Sequence, residues 1–190
     1  LTTRNMFMPA SRSLVTLALS ENFRARGEHL QQFGARNRLA VLGAIQFETF
    51  GFKTYQKFRA DGLQRQYFFR GDARVQFSNN QRFAMGAGWR FDWVKYKPTI
   101  LSQFDLKGYN RLHTALLYWH YNTLDAPVLS KKGLKIKAEA GYVFRQRPLL
   151  TYLENGEPVN NPDSLGINYN NYPHCTFNLE WYKPLSSRTT

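Results

Sequence analysis

Charge laid down at every second position carries most of the chemistry along this chain. Arg70, Asp72 and Arg74 alternate with uncharged neighbours, and so do Arg90 and Asp92, and Lys135, Lys137 and Glu139. Groups at that spacing project to one side of an extended chain, because successive side chains of a strand point to opposite faces. Such a row can pair with itself around water, or it can line a path or a docking surface for a passenger or for lipid head groups. Nucleophilic and metal chemistry have weaker footing. The histidines, His29, His113, His120 and His174, are scattered. His113 and His120 are an odd number of residues apart, so one strand sends them to opposite faces and no metal site is expected. Gly86-Ala87-Gly88 sits inside a strand pattern with no helix behind it, unlike a dinucleotide fingerprint, and no cofactor is expected. Cys175 is the single cysteine, so no intrachain disulfide can form.

The elements that must hold these charges read as strands. Phe83, Met85, Ala87, Trp89, Phe91 and Trp93 share one face of the clearest strand, and Ala84, Gly86, Gly88, Arg90 and Asp92 share the other. Lys97-Pro98 is expected to end it. Further strands are expected over 13–23, 39–52, 65–77, 111–121, 134–144 and 175–182. The segment 24–38 is polar and basic; a short helix around Glu28 to Phe33, a loop and frayed strand ends all remain open. Leu1 to Ala10 reads as irregular. Short turns over 78–82, 124–133 and 183–188 alternate with longer connections over 53–64, 97–108 and 145–172. Outer-membrane barrels alternate short and long connections in this way. Amphipathic strands of about 10–14 residues are long for a soluble sheet, where ~5–6 is typical, and suit a tilted spanning strand of ~9–11.

With 190 residues, one domain is the default. Aromatic residues make up 16% of the chain while mean hydropathy is −0.52, a pairing that suits a membrane barrel with aromatic girdles and a polar interior. No stretch approaches the ~20 apolar residues of a spanning helix. The net charge of +13 raises the question of nucleic acid. The basic residues alternate inside strands rather than cluster, and no zinc-finger, helix-turn-helix or RNP pattern occurs, so no nucleic-acid partner is expected.

One stretch carries a family resemblance. Asn122-Thr123-Leu124-Asp125-Ala126-Pro127 is followed by Lys132-Gly133 and then by an alternating strand. This pattern resembles the mid-barrel hairpin of the Omp85 superfamily of outer-membrane barrels. The run Phe177 to Leu185 is similar to the strand and turn that follow in that family. Within the superfamily the chain looks most similar to the barrel that follows a patatin-like phospholipase domain. The resemblance implies an all-β fold: an antiparallel transmembrane β-barrel, residues 1–190 being a segment of a larger barrel of about sixteen strands, incomplete at both ends. Asn122, Asp125, Pro127, Lys132 and Gly133 would form the signature turn, with Asp125 and Lys132 capping it and pairing across it. Arg70, Asp72, Arg74, Arg90, Asp92, Lys135, Lys137 and Glu139 would face the lumen. Phe83, Met85, Trp89, Phe91 and Trp93 would face lipid.

The function so implied is to insert, translocate or anchor a polypeptide in the outer membrane of a Gram-negative bacterium. Its partners would be the bilayer with its lipopolysaccharide, the remaining barrel strands from the same polypeptide or a second chain, and a passenger domain. Patatin-type enzymes use a Gly-x-Ser-x-Gly serine, and none occurs here, so no catalysis is expected of this chain. A fused phospholipase would lie N-terminal to Leu1. The chain opens on Leu1 without a signal peptide, which suggests a processed product or part of a longer polypeptide. Two other readings stay open. A soluble lipocalin-like barrel would turn the same aromatic stripe inward around an apolar ligand. A basic nucleic-acid-binding sheet would bind DNA or RNA in a salt-sensitive way.

Overall fold

Period-two alternation builds a far longer ladder than the apolar contrast alone reveals. The computed structural model describes residues 2–4, 9–20, 22–34, 37–56, 59–79, 82–125, 132–159 and 170–183. The strands are β1 (Thr2–Arg4), β2 (Ser11–Ala18), β3 (Arg24–Phe33), β4 (Leu39–Gln56), β5 (Arg59–Asn79), β6 (Phe83–Ile100), β7 (Phe104–Asn122), β8 (Gly133–Glu154), β9 (Glu157–Pro158) and β10 (Tyr172–Tyr182). They form one antiparallel sheet in which β1 to β8 pair in sequence order and β10 follows β8, while β9 pairs with β8 alone. The path is open, with β1 at one end and β10 at the other. Among the described residues there is no helix, hence none long and apolar enough to cross a membrane.

Several boundaries differ from the sequence expectation. Of the helix, loop and frayed strand ends open to the segment 24–38, the structure has a strand, β3, paired on both sides: Gly27 lies opposite Val15 on β2 and Ile45 on β4. Its own contrast is faint because both faces are polar, with Arg26, Glu28 and Gln32 on one and His29 and Gln31 on the other; its neighbours supply the ladder. The irregular N-terminal segment contains β1. β6 does not end at Lys97-Pro98 but runs to Ile100. Pro98 lies opposite Gln64, beside a bulge where the register jumps between Leu63 and Gln64. A proline is tolerated there because the ladder is already interrupted.

The expected long connections are also shorter. β4 and β5 enclose only 57–58, β6 and β7 enclose only 101–103, and β8 extends to Glu154 before turning at Asn155-Gly156 into β9. Asn155 and Gly156 both take positive φ, as a tight hairpin asks. Strand length replaces loop length at this end: β4 to β8 run 18, 21, 18, 19 and 22 residues.

The two faces of the sheet are opposite in chemistry and in exposure. One carries Ala40, Ala44, Val94, Leu116 and Val143, all buried, together with Thr114 and Arg90, also buried. The other carries bulky apolar residues that are open: Ile45, Leu117, Phe177 and Trp181 are 62%, 64%, 62% and 70% exposed. A protein folded around an oily core in water shows the reverse. We refer to them as the charged face and the aromatic face.

Candidate functional site: a charged face backing an aromatic one

The charged face is organised by register. Arg70, Asp72 and Arg74 on β5 sit directly opposite Asp92, Arg90 and Gly88 on β6. Two of these rows therefore oppose unlike charges, the favourable cross-strand arrangement. Arg70 grips Asp92 with two hydrogen bonds, Nε donating to Oδ1 at 2.7 Å and Nη2 to Oδ2 at 3.3 Å. Arg90 Nε donates to Asp72 Oδ1 at 3.0 Å, and Arg74 Nη2 donates to the same oxygen at 3.3 Å.

Glu139 joins this group from β8, across the whole width of β7. It stands 3.2 Å from Arg74 Nη1 and 3.0 Å from Arg90 Nη1. Asp72, Arg90, Glu139 and Arg74 thus close a ring of two carboxylates and two guanidiniums over Thr114 and Leu116, which lie buried beneath. The ring is itself sheltered, with the Asp72 and Arg90 side chains 7% and 11% exposed. Charges so withdrawn from water persist only when paired, and each here has two partners.

Glycine opens the space the ring needs. A Cβ on Gly88 would stand 2.7 Å from the Ala73 carbonyl oxygen and 2.8 Å from Arg74 Cγ, so the Arg74 side chain can cross β6 only over a bare backbone. At Gly86 a Cβ would stand 2.7 Å from the Tyr118 hydroxyl, which donates to Gln76 Oε1 at 3.1 Å. At Gly141 it would run into the His174 ring.

The remaining expected charges lie outside the ring. Lys135 pairs with Glu180 on β10, a partner the alternation of the last strand could have supplied. Lys137 makes no ion pair with a described residue; it lines a cavity of about 470 Å³ with Gln76, Tyr118, His120, Asn178 and Arg74. Inside it, His120 Nε2 is buried without a hydrogen-bond partner among the described residues. The arrangement can hold water and polar chain segments against the sheet. His120 and His113 do lie on opposite faces, since His113 packs among the rings of the aromatic face.

On that face, Phe83, Met85, Trp89, Phe91 and Trp93 form one row, with Met85 50% and Trp89 44% exposed. Trp89 stacks on Phe91 and on His113, with ring centres 6.4 Å and 5.6 Å apart. Phe83 meets Trp119 edge-on at 6.5 Å. Cys175 is exposed beside Ala140 on the same face.

The signature turn is described only at its stems; Pro127 lies outside the described residues. Asn122 Oδ1 accepts from Leu124 N at 3.0 Å, and Thr123 Oγ1 both accepts from Leu134 N and donates to Leu134 O, each at 3.0 Å. Asp125 meets Lys132 through the backbone: Asp125 Oδ1 accepts from Lys132 N at 3.3 Å. The expected capping is therefore present at these two residues, and it uses the amide of Lys132. Gly133 takes φ +118°, and a Cβ there would strike the carbonyl oxygen of Thr123.

Compared with protein-family models, curated proteins and solved structures, the chain matches none of them.

Proposed function

We propose that this chain is wall from an outer-membrane β-barrel whose work is to insert, translocate or anchor a polypeptide. One observation carries the reading: bulky apolar side chains lie open on one face of the sheet while the paired charges occupy the other. Water makes an open apolar face of this extent unfavourable, and hydrocarbon makes it favourable. The dimensions agree. From Phe83 to Trp93 the aromatic row spans ten residue steps, ~33 Å at ~3.3 Å per residue, or ~25 Å for a strand tilted by ~40°. That is the height of the apolar band of an outer-membrane barrel.

In a bilayer the edges at β1 and β10 need partners, because unpaired backbone groups are not tolerated in lipid. Further strands, from the same polypeptide or a second chain, supply them in this reading. The charged face then lines a wet interior, and the cavity around Lys137 and His120 is where a passing or anchored segment meets the wall. A patatin-like phospholipase fused upstream is one such passenger; the hairpin from Asn122 to Gly133 suggests the superfamily and not this particular partner. A soluble lipocalin-like barrel would need Met85 and Trp89 enclosed around a ligand, whereas both are about half exposed.

Detergent dependence tests the reading. The protein is expected in the membrane fraction, resistant to carbonate and monodisperse only with detergent. A chain that remains monodisperse in plain buffer at high concentration excludes it.

A further inference from the structure

Among the described residues the ion pairs are confined to one face. Every salt bridge among the described residues joins groups of the charged face. The aromatic face is treated differently. Toward the end where the strands are longest it carries Arg145 in the row of Phe91 and His113, Arg111 and Arg147 in the row of Trp93, and Lys95, Arg65 and Lys97 beyond it. All six are exposed, and none makes an ion pair with a described residue.

Their register compounds the effect. Arg65 lies directly opposite Lys97, and Arg111 directly opposite Arg147. Like charges facing each other across two strands repel at Cβ separations of about 5 Å. Four cations of the charged face have acids directly opposite, where Asp92 faces Arg70, Asp72 faces Arg90, Glu180 faces Lys135 and Glu48 faces Arg24, while at the β1 end of that face Arg12 faces Arg4. Two facing like-charge rows without an ion pair to a described residue, on the face opposite the one that holds every described ion pair, describe a surface that takes its counter-charge from outside the chain. The position says what brings it. Tyr67 and Tyr109 flank Lys95 at the upper limit of the apolar row, and Arg111 lies over the Tyr109 ring at 5.0 Å. Long-stemmed cations that begin level with the last rings of a hydrocarbon-facing stripe and continue past it can reach the depth of lipid head groups.

We propose that this band is a binding site for phosphate-bearing lipid head groups, with a phosphate bridging Arg111 and Arg147 and another bridging Arg65 and Lys97. Guanidinium groups suit this role because their donors form a planar fork matched to phosphate oxygens. The proposal rests on the barrel reading.

The test uses the full chain in detergent, with native mass spectrometry of retained lipid. Phosphatidylglycerol and lipid A are offered in separate experiments against phosphatidylcholine, and inorganic phosphate is offered as a competitor. Retention of both anionic lipids over phosphatidylcholine is expected, with little competition from millimolar phosphate. R111Q/R147Q is expected to lose preference by about twenty-five-fold, at about five-fold per cation. R12Q/R26Q removes the same charge from the other face and is expected to keep it. A folded, detergent-dependent protein that holds zwitterionic and anionic lipids alike overturns the site and leaves the barrel standing. So does equal loss in both variants, which reports net charge alone, or displacement of the lipid by phosphate at millimolar concentration, which reports a free-anion site. A protein monodisperse without detergent overturns both readings together. If R111Q/R147Q fails to fold, R65Q/K97Q at the second row gives the same readout.

Discussion

Gly88 shows how much one missing side chain decides. Arg74 reaches Glu139 on β8 only because β6 presents bare backbone beneath it. Gly88→Val would put a branched side chain against Arg74 Cγ and the Ala73 carbonyl, both already within 2.8 Å of a bare Cβ. The variant is expected to lose about 1–3 kcal/mol, as overpacking does, and the loss should show as a lower urea midpoint in detergent. Gly71→Ala is the matched control, since nothing lies within 4 Å of its Cβ; a shift of no more than ~0.5 kcal/mol is expected. Equal losses in both would show that strand glycines matter here only for the backbone.

Hairpins and bulges act at the next scale up. The β7–β8 hairpin depends on Gly133, whose φ of +118° is closed to L side chains, and on caps from Asn122, Thr123 and Asp125. Gly133→Ala is expected to cost about 1–3 kcal/mol of backbone strain. It should appear as reduced yield of the folded, heat-modifiable form on gels, with the remaining folded protein unchanged in lipid preference. A second device is the bulge on β8. His113 lies opposite Arg145 and Thr114 opposite Val143, which leaves Phe144 as an extra residue. Strict alternation from Leu134 would send Arg145 and Arg147 to the charged face. The bulge resets the phase, so both emerge beside Arg111 on the aromatic face.

For the whole molecule, the question is what covers the aromatic face. If acyl chains do, the exposed indole of Trp89 lies in contact with them. Reconstitution into vesicles carrying brominated acyl chains is expected to quench its emission strongly. Trp89→Phe should remove a clear share of the quenched signal, since both residues fit the same row. Unquenched emission with full membrane association would show that another protein surface covers this face. The open edges at β1 and β10 belong to the same scale, because a sheet can serve as a membrane wall only when its neighbours pair with it.

By itself the sequence determined the strand class and the two-sided chemistry. Side chains alternate by geometry alone, so Phe83 to Trp93 and Arg70 to Arg74 declared their faces without any partner in view. It stopped being legible where both faces turn polar, as in β3 and the upper reaches of β5 to β8, because the period remains while the contrast that reveals it disappears. Tertiary structure decided the rest. Strand register brought Glu139 across β7 to Arg74 and Arg90, and the extra residue at Phe144 turned two arginines to the other face. Neither is written in local pattern, because pairing between strands is fixed by the neighbour and a one-residue slip exchanges every face beyond it.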